Sequence, residues 1–483
     1  MTHRLGITVM PEYAQSEGIE AVLHNIADVA GATSLTTSPY VAALAPEGTG
    51  HREPPGDGGL GHKRLLDRSL WGRRELWMTA APSFRPDPAL YEGLAYRPPT
   101  PDALTETDGA VVGRFVEAAK ARGLEVWMQI QAAIPPLYRV QFGAPLPRDE
   151  PLLPGGATLP GRVDRNASLA APDLRAYIRA YTCDLCRAYP QIDGVKYDWP
   201  EYPVYHFDAL FFDFNPAMAP HAAALGLDLN TLAQGTLAFL SDLGTGAIRR
   251  RQIALDDPDS FRTSLLAAYP VLGDLLALRR AVVTDFAAFL RATVDEASGG
   301  RCKLFLHAFP PPLNIATGFD PVAIAPHCDG IGVKFYTMHW PLIEADYLAA
   351  LTTRADLDRV TVARALSRIL SLSPDAPRAP GDIRYPEPHE PHPAASAAIA
   401  AKIEQVRAQG GAKVWGMAHG YGPLDDVLRR FRALDGGPVQ LNRYAYLSDE
   451  KLAALGARQP STQPAKGADQ RPFGGGHGLH RQP

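Results

Sequence analysis

DGVKYDWPEYP, residues 193–203, holds two aspartates, a lysine, a glutamate, a tryptophan and two tyrosines. Its first half reads as a strand: Val195 and Tyr197 alternate with Lys196 and Asp198, and side chains one residue apart point to opposite faces. A strand chosen for stability alone would not carry a lysine in its middle and then close with Asp-Trp-Pro-Glu. The polar face therefore asks for a site, and the question is what fold surrounds it.

Working outward, helix and strand alternate. PDLRAYIRAYTCDLCRA (172–188) places Leu174, Tyr177, Ile178, Tyr181 and Leu185 on one face and feeds the strand at 194–198. Upstream, LGITVM (5–10) precedes a helix near 18–30, GATSLTTSPY (31–40) reads as a second strand, and GAVVGRFVEAAKAR (109–122) is a helix before GLEVWMQIQ (123–131). Downstream, a long helix over 274–297 stops at Gly299-Gly300 and leads to KLFLHAF (303–309). GIGVKFY (330–336), a segment near 359–364 readable as strand or helix, a helix near 396–409 and AKVWGMAHG (412–420) complete the series. Repeated strand–helix–strand order argues a parallel sheet. The first strand lacks GxGxxG and no phosphate-loop signature occurs, so a doubly wound nucleotide fold fits poorly. The expected fold is α/β, a (β/α)8 barrel over residues 1–457 with a partly helical insertion at about 204–270, after the fourth strand. Residues 44–63, rich in Gly, Pro and His, read as a loop. Residues 458–483 contain QPSTQPAKG and FGGGHG and read as a disordered tail.

Composition sets limits. The chain has 483 residues, 46% hydrophobic and 21% charged, with a formal charge of −4. No basic field calls for nucleic acid, and no apolar run is long enough to span a bilayer. The start, MTHRLGITVMPEY, has no signal-peptide pattern, so a cytoplasmic protein is expected. Cys183 and Cys186 form CDLC, but on a helix and with no second ligand pair they read as free thiols. Nothing in the sequence sets an oligomeric state.

Strand periodicity assigns faces. Lys196 shares one with Asp198, Lys334 with Tyr336, and Gln129 with Gln131. His307 belongs to the same set, as do Trp415, Met417 and His419, and in the first strand Thr8, Met10 and Glu12. Their polar members gather at strand C-terminal ends, where a barrel of this kind keeps its chemistry. Lys196 is tolerable there if it pairs with carboxylates such as Asp198. Asp193 and Asp329 begin their strands and read as structural. An inert ion pair, satisfied histidines at 307 and 419, and loop packing by Trp199, Tyr202 and Tyr205 remain the plain readings. Flat aromatic rings beside carboxylates equally suit the apolar faces of sugars.

DGVKYD (193–198) resembles the fourth-strand motif of several glycoside hydrolase barrels. In the alpha-amylase family the pattern is Asp-Gly-x-Arg-x-Asp, and in the alpha-galactosidase clan it is Lys-Tyr-Asp. Both end in the nucleophile. The resemblance puts Asp198 in that place and Lys196 where the first family has arginine. The wider run is similar to uncharacterised glycosyl-hydrolase-like barrels, with a helix such as APDLRAYIRAYTCDLCRAYP before the strand and FFDFNPAMAPHAAALGLDL (211–229) after it. The latter resembles the Cys-rich insertion of beta-galactosidase-like barrels without its cysteines, which removes any inherited metal site. The resemblance covers roughly 5–455 in organisation. It departs at the fifth strand, where KLFLHAFPPPLN lacks the acid/base glutamate of the alpha-amylase pattern.

The expected reaction is hydrolysis of an O-glycosidic bond by paired carboxyls, on a carbohydrate substrate, with no cofactor and no metal. Asp198 is the ionised member. Glu201, between Pro200 and Tyr202, is the first candidate acid, followed by Glu12 and then by Glu387 and Glu390 in RYPEPHEPHP (384–393). Substrate contacts are expected from Glu12, Gln131, Lys196, Trp199, His307, Lys334, Tyr336 and His419. His389 and His392 hint at metal but lack a companion ligand set. Two other functions stay open: a lysine-dependent aldolase or isomerase using Lys196 or Lys334, and a non-catalytic carbohydrate-binding barrel.

Overall fold

Eight parallel strands close into a barrel in a computed structural model that describes residues 4–56, 64–243, 258–355, 357–370 and 379–457. In chain order the strands are β1 (Leu5–Thr8), β2 (Ser34–Thr37), β3 (Tyr40–Ala45), β4 (His51–Glu53), β5 (Leu76–Pro82), β6 (Glu125–Gln131), β7 (Gly194–Asp198), β8 (Lys303–Ala308), β9 (Gly330–Phe335), β10 (Val414–His419) and β11 (Val439–Asn442). The barrel runs β1-β2-β6-β7-β8-β9-β10-β11 and back to β1, while β3, β5 and β4 form a separate antiparallel sheet. Helices connect the staves, which makes this a (β/α)8 barrel.

One open reading is decided and two sequence expectations are corrected. The segment near 359–364 is helix (Arg359–Ile369): Asp358 caps it by accepting from the Thr361 N–H at 2.8 Å, and Val362, Ala363, Ala365 and Leu366 form its buried face. The strand at 414–419 is therefore the seventh stave. The eighth is β11, four residues between Gly436-Gly437-Pro438 and Arg443, too short to show a periodic signal. Finally, 44–63 is not simply a loop, because β3 ends and β4 lies within it; residues 57–63 fall outside the described set. The second stave is also shorter than 31–40, since the chain turns at Ser38-Pro39 into β3.

The helix Pro172–Ala188 forms as its pattern dictates. Pro172 opens it, its five expected apolar residues are buried, with Tyr177 against Tyr91 and Tyr96 and Tyr181 against Phe84 and Tyr138, and the helix also packs on Pro270–Ser298. The connection from β7 to β8 carries the extra helices Ala219–Ala224, Leu229–Leu243 and Pro258–Ala268 before Pro270–Ser298, which ends at Gly299 in the left-handed region (φ 63°). The tail at 458–483 lies outside the described residues. Among the described residues no helix is long and apolar enough to cross a membrane.

The barrel interior is layered. Trp127, Phe305, Trp415 and Met417 fill its lower part. Glycines make room for these rings: a Cβ on Gly194 would fall 2.4 Å from Trp127, and one on Gly330 would fall 2.2 Å from Phe305. Below, Arg4 lies over Trp415 at 4.9 Å, and Glu125 binds Arg4 and Lys303 at 2.7 Å each. Asp193 holds Lys120 (2.8 Å) and the Val126 N–H (2.7 Å), and Asp329 holds Arg291 and the Leu304 N–H (both 2.8 Å), all at the N-terminal ends of the strands.

Candidate active site

Register brings the polar strand ends together. Gln131 pairs with Asp198, Tyr197 with Leu306, Ala308 with Val333, Lys334 with Met417, and His419 with Asn442. Asp198, His307, Tyr336 and His419 thus share the C-terminal end of the barrel. A cleft of about 140 Å³ opens there, with Asp198, Trp199, Tyr205, Tyr336, Gln129, Gln131, His339, His419 and three arginines in its wall.

Asp198 is the centre of this arrangement. Its side chain is 16% exposed, and its Oδ1 lies 3.0 Å from His307 Nδ1 and 3.2 Å from Lys334 Nζ. Burial pushes the carboxyl up, but Lys334 and His307 outweigh it and hold Asp198 well below the usual carboxylate range. Burial depresses His307 against the pull of Asp198, which leaves its imidazole neutral at pH 7. Lys334 lies near the rings of Phe309 (4.8 Å) and Trp199 (5.2 Å) and also reaches Glu201 Oε1 at 4.0 Å.

Glu201 has the opposite character. It is fully buried, and it accepts from the Phe309 N–H (2.9 Å) and the Thr317 hydroxyl (2.6 Å). Burial still dominates over Lys334 and these donors, lifting its pKa to about 7. One lysine is thus shared by a carboxylate that stays ionised and a carboxyl that keeps its proton near neutrality. Between them Trp199 adopts φ 56°, a costly backbone for a bulky residue. The Asn166 amide pins this turn by donating to the carbonyls of Trp199 (2.9 Å) and Glu201 (3.1 Å).

Several expected site residues stand elsewhere. Lys196 does not pair with Asp198. It is fully buried below the cleft floor, 4.4 Å from the Phe305 ring and 5.0 Å from that of Trp127, and it donates to Gln440 Oε1. Gln440 in turn donates to Thr8 (2.6 Å) and Thr36 (3.1 Å). With no carboxylate touching it, burial drops Lys196 to about 7. Sharing a face with Asp198 put it inside the barrel, but one layer too deep to line the cleft. Glu12 belongs to the helix Pro11–Ser16, because β1 stops at Thr8, and strand periodicity does not extend to it. It is fully buried, bound by Tyr40 (2.9 Å) and Arg139 (3.1 Å), and raised by burial. His307 and Lys334 act on Asp198 from behind rather than from the cleft wall, and Glu201 is closed off from the cleft as seated. Glu387 and Glu390 face outward: Glu390 pairs with Arg384 (2.6 Å), while Tyr385 and His392 are the buried side of that loop, His392 lying 2.8 Å from the Thr337 hydroxyl.

The wall residues that sequence reasoning missed include Arg64, Arg139, Arg443 and His339, while Tyr205, read as either loop packing or a sugar-facing ring, lies in the wall. Arg443 follows β11, the unread eighth stave, so its position at a strand end was not visible. Arg139 lies in the irregular stretch after β6, where no periodicity points.

No protein-family model and no curated protein matches the chain. Among solved structures, it is similar to the catalytic domain of a beta-amylase from Paenibacillus polymyxa, with 10% identity over 94% of this chain and 96% of that one and a TM-score of 0.46. A class V chitinase from Pseudomonas fluorescens gives 9% identity, 95% and 100% coverage and a TM-score of 0.40. A chitinase from Chromobacterium violaceum gives 8%, 95% and 100%, with a TM-score of 0.39. Similarity at this level carries no argument about chemistry, which rests on the residues above.

Proposed function

We propose that the chain is a glycoside hydrolase acting on O-glycosidic bonds of a glycoside, oligosaccharide or polysaccharide, with Asp198 as its ionised carboxylate and Glu201 as the proton-holding partner. The observation that carries this reading is the opposite tuning of two carboxyls around Lys334, beside an aromatic-walled cleft. Glycoside cleavage needs that division: one carboxylate to attack the anomeric carbon or direct water to it, and one acid to protonate the departing oxygen. Trp199, Tyr205 and Tyr336 offer ring faces against which a sugar can lie. The nucleophile role at the end of DGVKYD is also what the fourth-strand resemblance implies.

The proposal makes a demand on the turn after β7. Glu201 reaches a leaving group only when the Trp199–Pro200 turn swings aside, and this is the segment held in strained backbone by Asn166. No cofactor enters the reading. Asp198→Asn keeps size and hydrogen bonding but removes the charge. On any glycoside the wild type turns over, its rate should fall by more than the ~10²–10⁴-fold that loss of one acid–base group costs. Near-full activity of this variant would end the assignment.

One observation favours a second reading, a Schiff-base aldolase or isomerase: Lys196 has the pKa of about 7 that such a nucleophile needs. Its burial under the cleft floor speaks against it. Borohydride trapping with a keto-sugar decides, since a covalent adduct on Lys196 or Lys334 belongs to that chemistry alone. Sugar binding without turnover by the wild type would instead leave a carbohydrate-binding barrel.

A further inference from the structure

The N-terminal end of the barrel holds two thiols that the cleft chemistry leaves unused. CDLC pairs Cys183 and Cys186 in sequence. On a regular helix, however, residues three apart hold their Cβ atoms about 5–6 Å from each other, beyond the ~3.5–4.5 Å that a disulfide spans. The fold gives Cys186 a different neighbour. It sits in the last turn of the helix Pro172–Ala188, after which the chain turns through 189–193 into β7. Cys302 stands one residue before β8, whose Lys303 pairs with Gly194 of β7. Helix end and strand start thus meet. Cys302 Sγ donates to the Ile192 carbonyl at 3.7 Å, and the thiols of Cys186 and Cys302 hydrogen-bond to each other. Both residues are buried, 4% and 2% exposed, whereas Cys183, one turn earlier, is half-buried.

We infer that Cys302 and Cys186 are a redox-modification site, where a small peroxide oxidises Cys302 and Cys186 converts the product into a disulfide that tethers the helix to β8. The Cys302 thiolate attacks one oxygen of hydrogen peroxide. The O–O bond breaks, Cys302 becomes a sulfenic acid, and the departing hydroxide takes up the proton the thiol released and leaves as water. Cys186 then attacks the sulfenic sulfur: the S–S bond forms, the S–O bond breaks, and the oxygen leaves as a second water with the Cys186 proton. Two thiols together lose two electrons, and one peroxide is reduced to two waters. The surroundings fix the order of events. The shared proton stays on Cys186, which is pushed well up by its bond to Cys302 and then by burial. That same bond, helped against burial by Arg301 and Ser298, pulls Cys302 below the usual thiol range and makes it the nucleophile. Cys302 is flanked by the exposed residues Arg301 and Lys303, and Arg301 Nη1 donates to the same Ile192 carbonyl at 2.6 Å, so the sulfur lies just beneath solvent-facing side chains. Cys183 is raised by burial and then by Glu296, and it does not share this activation.

This end of the barrel is opposite the cleft, so the inference stands apart from the glycosidase reading. The disulfide closes residues 186–302 into a ring that contains β7, and a ring of that length restricts the unfolded chain more than the folded one. The test treats the full chain with a slight excess of hydrogen peroxide and maps its tryptic peptides without reduction. The expected result is a peptide cross-linked through Cys186 and Cys302, its loss on treatment with dithiothreitol, and a melting temperature several degrees higher in the oxidised than in the reduced protein. Cys186→Ser, whose hydroxyl can still donate to Cys302, should form no disulfide within the chain and should take a dimedone adduct on Cys302. Cys302→Ser should take none on Cys186, and Cys183→Ser should behave as the wild type. The wild-type map itself depends on no variant folding. A wild type that yields no linked peptide, a link through Cys183 in place of Cys186, or dimedone on Cys183 rather than Cys302 overturns the site. A melting temperature unmoved by oxidation overturns the tether.

Discussion

Two carboxyls three residues apart in sequence, Asp198 and Glu201, carry opposite proton affinities because one sits at the cleft between two cationic or donor groups and the other is sealed. This sets the pH behaviour. Glu201 has a folded pKa of about 7, so kcat/KM should fall as pH rises through 7 and the acid loses its proton, and Glu201→Gln should remove that limb. The variant should be slow on poor leaving groups and nearly normal on aryl leaving groups that need no protonation. Equal loss on both would reduce Glu201 to a structural role. Lys196 gives a separate test through stability. Its folded pKa of about 7 lies below the ordinary value of 10.5, so the unfolded chain binds more protons between those limits and stability must rise with pH across that window. Chemical denaturation of Lys196→Met from pH 6 to 10 should lack the rise. A wild-type curve that is flat from 7 to 10 would show that Lys196 is not the deprotonating group. Lys196 was legible as an interior strand residue, but its partner was not. Periodicity assigns a face, whereas the residues of other strands that meet Lys196 at its depth, Gln440, Phe305 and Trp127, follow from the stagger of neighbouring strands.

At the level of elements, the turn from β7 into Trp199, Pro200 and Glu201 links local structure to the proposed chemistry. Asn166 comes from a distant loop and supplies two buried hydrogen bonds to this turn. Asn166→Ala should destabilise the protein by ~1–3 kcal/mol. It should also lower kcat and raise KM, since the turn positions both the acid and the Trp199 ring that faces the cleft. Unchanged kinetics alongside the stability loss would make Asn166 structural only. Elements with strong signals were readable: the helix Pro172–Ala188 and the strand Gly194–Asp198 match their expected bounds because a five-residue apolar face and a clean alternation leave little choice. Weak signals left Arg359–Ile369 open between strand and helix, since its β-branched residues mimic a strand until the Asp358 cap is seen, and they missed Val439–Asn442, where four residues carry too little pattern.

For the whole molecule, we take residues 1–457 as one barrel domain, with the insertion at about 204–270 and 458–483 as a dispensable tail. Removing 458–483 should leave melting temperature and activity unchanged. A drop of several degrees, read by thermal denaturation, would mean that the segment docks on the domain. By itself the sequence determined the barrel class, most of its staves and Asp198 as the carboxylate at the fourth strand's end, because alternation, helix periodicity and strand-end polarity are local properties that short-range physics writes into neighbouring residues. Only the tertiary structure decided that Lys334 and His307 hold Asp198, that Lys196 lies below the floor, that Glu12 and Glu53 are locked behind Arg139, that Glu53 also binds Arg443, and that Cys186 meets Cys302. Those relations join residues as far apart as Glu53 and Arg443. They depend on barrel closure, strand stagger and burial, and no short stretch of sequence contains the distances on which charge and proton affinity depend.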